Sequence, residues 1–180
     1  MVSKNIVLIG FMGTGKSSVG KVLAKRLGRA WVDIDQKIEE SQKKKIADLF
    51  EKEGEAHFRN LEKEMVHQVS QGAGLVITTG GGVVLDAENM QALKKNGVLI
   101  ALAATPETIF HRVKDSRHRP LLKTTDPLGE IRRLLSVRQP LYEKADHYFH
   151  TDGKNASQVA ELITERLGKE EEFEFGKDWF

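Results

Sequence analysis

The segment from Gly10 to Ser17, GFMGTGKS, has the spacing G-x-x-x-x-G-K-[ST] that is typical of loops binding nucleotide phosphates. Glycines let such a loop turn tightly, so that several backbone N–H groups point at phosphate oxygens beside a helix N-terminus. Lys16 would place a positive charge on the β- and γ-phosphates, and Ser17 would offer a hydroxyl to Mg²⁺. An apolar run precedes the motif and an amphipathic helical pattern follows it, so the sequence predicts a nucleotide site.

Two carboxylates, Asp33 and Asp35, stand at the end of the second strand-like run. Residues i and i+2 of a strand face the same side, so we expect both carboxylates to point into the ligand crevice at the strand ends. A plainer interpretation, in which Asp35 only caps the next helix, stays open. That interpretation is weaker for Asp33, because the pattern predicts no helix beginning beside it.

Three consecutive glycines, Gly80, Gly81 and Gly82, close the third strand-like run. A glycine in regular structure costs about 1 kcal/mol relative to alanine, and a plain turn needs only one or two. Three in a row indicate that a ligand, rather than a side chain, fills the space beside this backbone. A loose turn is the alternative.

Arg59 and Arg138 are two arginines that the sequence places in helical patterns and not in loops. On its own, Arg59 would be interpreted as the partner of Glu62 in a solvated i,i+3 ion pair worth a few tenths of a kcal/mol. Arg138 has no distinguishing context except Pro140, which we expect to break the helix beside it and so fix its direction.

Residue types and spacing exclude several other chemistries. The chain has no cysteine, so disulfides, thiolate metal sites and a cysteine nucleophile are ruled out. The histidines lack the spacing of a zinc motif. No Asn-Lys-x-Asp guanine-reading motif occurs, and the D-x-x-G sequence at 126–129 begins a helical pattern rather than ending a strand. We therefore interpret Asp126 as a helix cap.

Short apolar runs alternate with helical patterns along the chain, which predicts a parallel sheet covered on both faces, an α/β fold. Strands are expected at 5–9, 30–34, 74–79, 98–103 and 147–150. Helices are expected at 16–27, 46–53, 55–71, 86–96, 128–145 and 155–167, with one more capped by Thr105 and opened by Pro106. The stretch 114–125 fits neither period, and we expect it to be a mobile loop.

Length and composition set the outer limits. The 180 residues suit a single domain, and the net charge of +2 argues only weakly for any partner. The last twelve residues, 169–180, hold five acids, two lysines and four aromatic residues, an acidic tail. No apolar run approaches the roughly 18 residues that a membrane span needs, and the N-terminal apolar run is too short for a signal segment.

In their order along the chain, these motifs resemble shikimate kinase: GFMGTGKSSVG, DID, GEAHFR, TTGGG, RPLL and RQPLY. The resemblance covers residues 5–167. It implies a doubly wound sheet of five parallel strands in the order 2-3-1-4-5, the phosphate-loop fold of nucleoside monophosphate kinases. It also implies one kinase domain at 1–168, with an acceptor-binding part at 33–59 and a lid at 114–125. The tail, 169–180, lies outside it.

The same resemblance implies residue roles. The nucleotide would be bound by Gly13, Thr14, Gly15, Lys16, Ser17, Ser18, Arg112 and Arg119. The acceptor would be bound by Asp35, Arg59, Gly80, Gly81, Gly82 and Arg138. The catalytic residues would be Lys16, Asp35 and Arg119, and the metal would be held by Ser17 and, through water, by Asp33. Arg112 would stack on adenine and Arg119 would reach the transferring phosphate from the lid. Ile34 stands where the family usually has threonine, and a second adenine contact near 152–155 is poorly matched.

The activity that the resemblance implies is ATP-dependent phosphorylation of the 3-hydroxyl of shikimate. The products would be shikimate 3-phosphate and ADP, on the pathway to chorismate and aromatic amino acids, with Mg²⁺ as cofactor and ATP as co-substrate. The chemistry agrees, because arginines suit a carboxylate and Asp35 suits hydroxyls. We expect Asp35 to orient the hydroxyl first and act as base second, since phosphoryl transfer depends mainly on positioning.

Two rivals stay open at this point. One is a related kinase for gluconate or a nucleoside monophosphate, against which the paired aspartates and the triple glycine favour shikimate. The other is a nucleotide-binding module that acts on nucleic acid, which would want exposed aromatic residues along a basic groove. We expect a cytoplasmic monomer that binds neither nucleic acid nor membrane.

Overall fold

The computed structural model describes residues 4–114 and 124–168. Within them, five parallel strands form one sheet in the order β2-β3-β1-β4-β5, which confirms the predicted topology. The strands are β1 Asn5–Ile9, β2 Trp31–Asp33, β3 Val76–Thr78, β4 Gly97–Ala103 and β5 His147–His150. The helices are α1 Lys16–Leu27, α2 Ile34–Gln42, α3 Ile46–Ser70, α4 Ala87–Lys95, α5 Pro106–Val113, α6 Pro127–Tyr142 and α7 Ala156–Gly168, with a 3₁₀ helix at Val83–Leu85.

Both faces of the sheet are buried, which explains why the central strand reads as a continuous apolar run. In β1 all five residues are buried. Ile6 and Leu8 pack in one cluster with α1 and α7, whereas Val7 and Ile9 pack in the other with α2 to α6. The helices that connect the strands therefore pack on the two apolar faces of the sheet. The carboxyl ends of the parallel strands stay together at one edge of the sheet.

Capping residues define several helix ends, among them the predicted caps Thr105 and Asp126. The side chains of Asp86, Thr105 and Asp126 accept backbone N–H groups at the starts of α4, α5 and α6. Gly28 ends α1 in a left-handed conformation with φ of 58°. Within α3, Gly54 has φ of 84° and ψ of 166°, so the helix is kinked between the two predicted halves.

Other boundaries were wrong. β2 ends at Asp33, and the next residue begins α2, a nine-residue helix that the sequence reading did not assign. Gly97, which lies between the expected helix at 86–96 and the expected strand at 98–103, is the first residue of β4. Pro140 does not break α6, which continues to Tyr142. Only the last turn follows Pro140, so its missing N–H removes one hydrogen bond near an end where bonds already fray.

Two predicted features lie mostly outside the described residues. These are the lid at 114–125, of which only 114, 124 and 125 are described, and the tail at 169–180. No helix in the described part of the chain combines the length and apolar content needed to cross a membrane.

Candidate active site

The phosphate loop joins β1 to α1 and is held by backbone geometry that only glycine fits. Gly13 has φ of 76° and Gly15, the residue before α1, has φ of 95°. A Cβ atom on Gly10 would lie 2.2 Å from the carbonyl oxygen of Leu102, so the loop packs directly against the end of β4. The loop therefore starts at the carboxyl end of the sheet, with the first turn of α1 facing the same space.

Polar side chains hold the loop from inside. The Lys16 ammonium is buried and donates to the carbonyl oxygens of Gly10, at 2.7 Å, and Phe11, at 2.9 Å. The buried Thr14 hydroxyl donates to the same Phe11 oxygen at 2.8 Å. Ser17 and Ser18 are exposed at the start of α1. The loop is thus preorganised by the lysine that the motif assigns to phosphate.

Arg112, on α5, bridges the loop and the end of β5. Its Nη1 donates to the Gly13 carbonyl at 3.2 Å and to the Thr151 hydroxyl at 2.9 Å, and its Nη2 donates to the Thr151 carbonyl at 2.8 Å. These three hydrogen bonds use one edge of the Arg112 guanidinium, and they fix the plane of the guanidinium beside the phosphate loop.

Asp33 caps a helix, contrary to the expectation from the sequence. Its Oδ1 accepts the backbone N–H of Gln36 at 3.1 Å, at the start of α2. Its Oδ2 accepts the hydroxyls of Ser17 and Thr78, both at 2.8 Å. Asp35 lies one residue into α2, so the argument that the two carboxylates share one face of a strand is wrong. The helix turn carries Asp35 towards the glycines instead.

Each of the three glycines after β3 makes room for a different neighbour. A Cβ atom on Gly80 would lie 2.8 Å from Asp35 Oδ1 and 3.0 Å from Glu62 Oε1. One on Gly81 would lie 3.1 Å from the backbone nitrogen of Met12. One on Gly82 would lie 2.4 Å from both terminal nitrogens of Arg59. The interpretation that a ligand fills these spaces is therefore wrong, because the site's own groups fill them.

Arg59 takes part in a buried ion pair, not a solvated one. Its Nη1 donates to Glu62 Oε2 at 2.7 Å and its Nη2 donates to Glu55 Oε1 at 3.0 Å. Glu62 is only 1% exposed, and its Oε1 has no hydrogen-bond partner among the residues that the structure describes. Burial raises the pKa of Glu62, although the Arg59 guanidinium opposes the shift. Burial works against the charge of Arg59, but Glu62 and Glu55 outweigh it and raise the pKa of Arg59.

Arg138, on α6, is a buried cation, 5% exposed, that forms no ion pair within 4 Å in the described part of the chain, although the Glu62 and Glu130 carboxylates attract it at longer range. Its Nη1 lies 3.5 Å from the Gly81 carbonyl, at the outer limit of a hydrogen bond, and its Cζ lies 5.7 Å from the centre of the Phe11 ring. The Tyr142 hydroxyl donates to the same Gly81 oxygen at 2.5 Å, and burial raises the pKa of Tyr142.

These groups line a cavity of about 710 Å³ beside the phosphate loop. Its lining includes Ser17, Asp33, Asp35, Arg59, Glu62, Gly80, Gly81, Gly82 and Arg138. A groove of about 820 Å³ between α3 and α4 is larger, but it does not reach the phosphate loop. Because the smaller cavity combines two arginines, two aspartates and bare backbone next to that loop, it is the candidate active site.

The oxygen atoms present suit a magnesium ion that is also bound by a nucleotide. The Ser17 hydroxyl and the Asp33 carboxylate are hard ligands at the start of α1 and the end of β2. No group of three or more histidine, aspartate or glutamate side chains in residues 4–114 and 124–168 could hold a metal alone. The residues fit Mg²⁺ provided that nucleotide phosphates complete its coordination, which is the usual arrangement for this ion.

Sequence reasoning brought most of this site together. The predicted acceptor residues Asp35, Arg59, Arg138 and the three glycines line one cavity with Ser17 and Asp33, whereas Lys16 and Arg112 bind the loop backbone. Arg119 lies outside the described residues. Glu62 and Tyr142 were missed as site residues. In the sequence, Glu62 is marked only by its i,i+3 spacing from Arg59, and Tyr142 only as the last residue of the RQPLY motif. Neither feature indicates that the side chain is buried.

A phosphate loop at the switch point of a 2-3-1-4-5 parallel sheet, beside a polar acceptor cavity, defines a phosphoryl-transfer enzyme of the phosphate-loop kinase class. The sequence model of the shikimate kinase family matches residues 12–168. The chain is 51% identical to the shikimate kinase of Thermodesulfovibrio yellowstonii over 160 residues, which are 89% of this chain and 92% of that one.

Solved structures agree with the sequence relatives. The shikimate kinase of Acinetobacter baumannii in complex with shikimate superposes with a TM-score of 0.89 at 36% identity, covering 92% of this chain and 93% of that one. The enzyme of Aquifex aeolicus gives a TM-score of 0.80 at 36% identity, covering 91% of this chain and 96% of that one. The chain belongs to the shikimate kinase family.

Proposed function

We propose that the chain transfers the γ-phosphoryl group of ATP to the 3-hydroxyl of shikimate, giving shikimate 3-phosphate and ADP on the route to chorismate and aromatic amino acids. The observation that carries the choice of acceptor is Arg138, a buried cation that faces the cavity with Arg59 and forms no ion pair within 4 Å in the described residues, Glu62 and Glu130 attracting it only at longer range. A buried charge needs a counter-charge, and a planar carboxylate fits two guanidinium groups. The acceptor is therefore a small carboxylate that also carries hydroxyls.

Each residue then has a role that follows from its place. Arg59 and Arg138 hold the acceptor carboxylate, and the backbone at Gly80, Gly81 and Gly82 forms the cavity floor. Asp35 accepts a hydrogen bond from the attacking hydroxyl, orients it and takes its proton late in the transfer. Lys16 exchanges its loop carbonyls for the phosphates, which the N–H groups of Gly13, Thr14, Gly15 and Ser18 also approach.

The metal and the remaining nucleotide contacts complete the proposal. Ser17 would hold Mg²⁺ directly and Asp33 through water, and the ion would neutralise charge on the β- and γ-phosphates. Arg112 would present its fixed plane to adenine. Arg119, outside the described residues, would reach the transferring phosphate. We further propose that the enzyme works in the cytoplasm as a monomer that binds no nucleic acid.

An acceptor panel tests this function. ADP release is followed with shikimate, quinate, gluconate, AMP or no acceptor, and the phosphorylated oxygen of the product is identified by ³¹P–¹H NMR. We expect strong dependence on shikimate, with phosphate on the oxygen at C3. Equal rates with gluconate or AMP would show that the acceptor has been assigned wrongly, and those two compounds represent the rival kinases.

A further inference from the structure

A chain of hydrogen bonds runs from Trp31 to the carboxylate that faces the metal site. The Trp31 indole N–H donates to the Thr78 hydroxyl at 3.2 Å, and the Thr78 hydroxyl donates to Asp33 Oδ2 at 2.8 Å. The direction is fixed, because an indole nitrogen can only donate and a hydroxyl has one proton. Thr78 is fully buried, whereas Trp31 is half-buried.

The same carboxylate oxygen controls the Ser17 hydroxyl. Ser17 Oγ donates its proton to Asp33 Oδ2 at 2.8 Å, so the lone pairs of the serine oxygen are left for another partner. With the Gln36 N–H on Oδ1, three donors from α1, β3 and α2 hold one carboxylate. The orientation of the serine oxygen therefore depends on how firmly Asp33 is held from behind.

Packing ties this arrangement to α1. A Cβ atom on Gly20 would lie 2.4 Å from Thr78 Cγ2 and 3.0 Å from Trp31 Nε1, so the helix that carries Ser17 rests directly on the pair. Lys21 also lies on α1, and its ammonium group is 4.7 Å from the centre of the Trp31 ring. Trp31 and Thr78 thus contact both elements that supply the metal-facing oxygens.

We infer that Trp31 and Thr78 are positioning residues for the magnesium site, holding Asp33 and through it the Ser17 hydroxyl in the orientation that a magnesium–nucleotide complex needs. The inference rests on the proposed function, which places Mg²⁺ between these oxygens and the phosphates. Outer partners of metal ligands typically change metal affinity by about 10- to 100-fold when they are removed.

Nucleotide affinity with and without metal tests the inference. Binding of a non-hydrolysable ATP analogue is measured by isothermal titration calorimetry in excess Mg²⁺ and in EDTA, and the ratio of the two dissociation constants gives the magnesium enhancement. Thr78→Val keeps the shape but removes the hydroxyl, and we expect the enhancement to fall by about tenfold. The affinity in EDTA should stay within about twofold of wild type, because phosphate contacts are untouched.

Two further variants separate positioning from packing. Thr78→Ser keeps the hydroxyl but loses a buried methyl group, so it should lower thermal stability while the magnesium enhancement stays near the wild-type value. Trp31→Phe, at a half-exposed position, should reduce the enhancement by about two- to fivefold, since one neutral hydrogen bond is lost. If Thr78→Val and Trp31→Phe retain the full enhancement, Trp31 and Thr78 only support the fold. If the wild type itself binds equally with Mg²⁺ and EDTA, the proposed magnesium site is wrong and the positioning role falls with it.

Discussion

Arg59 and Arg138 are held in different ways although both face the acceptor cavity. Two carboxylates, those of Glu62 and Glu55, surround the guanidinium of Arg59, while Arg138 is more deeply buried and lies against the Phe11 ring. Arg59 therefore arrives with part of its charge already balanced. Arg138 has more to gain from an anionic acceptor, so we expect it to contribute at least as much to acceptor affinity.

Kinetics of three variants separate binding from chemistry. The acceptor carboxylate keeps its charge during transfer, so Arg59→Ala and Arg138→Ala should mainly raise the shikimate KM, by about 10- to 150-fold for one lost charge-assisted hydrogen bond. Asp35→Asn should instead lower kcat by about 100-fold or more with a smaller change in KM, because it loses the negative charge that aligns the nucleophilic oxygen and accepts its proton. Shikimate is varied at saturating ATP.

The matched control for these arginines is Arg133→Ala. Arg133 lies on α6 like Arg138, but it is exposed and pairs with Glu130 on its own helix. Its removal should leave both kinetic constants near wild type. Should Arg59→Ala and Arg138→Ala both stay within about twofold of the wild-type KM, a charge-assisted contact with the acceptor is untenable.

Gly82→Ala tests whether the glycine exists to make room for Arg59. The new methyl group would meet the two terminal nitrogens of Arg59. Because these nitrogens are the far end of a flexible side chain, the Arg59 side chain can move away without any shift of the backbone. We expect an increase in shikimate KM of about tenfold or more, because Arg59 leaves its place, and a lower Tm, because the buried Glu62 then loses its counter-charge. Gly153→Ala is not suitable because of its positive φ, so Gly168→Ala is the control, since none of the described residues places an atom within 4 Å of its Cβ position. An unchanged KM in Gly82→Ala would show that Arg59 can adapt.

The residue types of this site could be predicted from the sequence, but their states could not. Asp35 stood out from its place after a strand-like run, whereas Arg59 and Arg138 were assigned only through the resemblance of the ordered motifs to shikimate kinase. The burial of Glu62 depends on α2, α3 and the glycines closing around it, and sequence spacing alone gives only an exposed ion pair. The same limit explains why the glycines were assigned to a ligand.

At the scale of elements, Asp152 ties two loops together at the carboxyl edge of the sheet. Its Oδ1 accepts the backbone N–H of Thr105 at 2.9 Å and the Thr105 hydroxyl at 2.8 Å, which joins the start of α5 to the segment after β5. Partial burial works against the charge, but the Thr105 N–H and the hydroxyls of Thr108 and Thr105 lower the pKa of Asp152 to about 2. The ionised form is thus favoured by folding.

This pKa predicts a pH-dependent stability difference. A carboxyl group with a lowered folded-state pKa stabilises the protein above its ordinary value of 3.8 and loses that contribution as the pH falls towards about 2. The stability gap between wild type and Asp152→Asn in urea unfolding should therefore be largest near neutral pH and shrink as the pH approaches about 3. Glu161→Gln, an exposed change on α7, controls for the loss of one surface carboxylate. A gap that stays constant with pH would contradict the expectation.

Elements were predictable where a pattern was long or capped, and not where it was short. α1, α4 and α5 have capping residues and an apolar stripe; the bounds of α1 and α4 agree with expectation to within a residue, and α5 begins where its cap predicts. α2 has nine residues, of which only two, Ile34 and Ile38, are buried, so its apolar pattern in the sequence is too short to predict a helix. Missing α2 led directly to the wrong geometry for Asp33.

For the whole molecule, the sheet separates two apolar clusters that do different jobs. The cluster under α1 and α7 packs beneath the helix that follows the phosphate loop, whereas the larger one under α2 to α6 includes Phe11 and Met12 of the loop and lies behind the acceptor cavity. The charged groups of the acceptor site, including Glu62 and Arg138, therefore sit at the edge of the larger cluster. A ligand that satisfies those charges should stabilise the entire fold.

Thermal shift measures that coupling. Shikimate at roughly 100 times its Kd adds about 2.7 kcal/mol to unfolding, which for a chain of this size raises Tm by about 5–10 °C. Arg138→Ala should lose most of this shift at the same shikimate concentration, while ADP protection is retained. Equal protection of both proteins by shikimate would place the acceptor elsewhere. Gluconate, as a second carboxylate with hydroxyls, serves as the ligand control.

The contacts of Lys16 with its own loop make nucleotide binding an exchange reaction. Its ammonium group donates hydrogen bonds to the carbonyl oxygens of Gly10 and Phe11. A ligand that binds the ammonium group therefore has to replace these two backbone oxygens. A multiply charged phosphate does so easily, because a full charge attracts the ammonium more strongly than a dipole. A neutral nucleoside has nothing comparable to offer. The carbonyl oxygens of Gly10 and Phe11 thus compete with every ligand for the Lys16 ammonium group, and this competition favours ligands that carry negative charge.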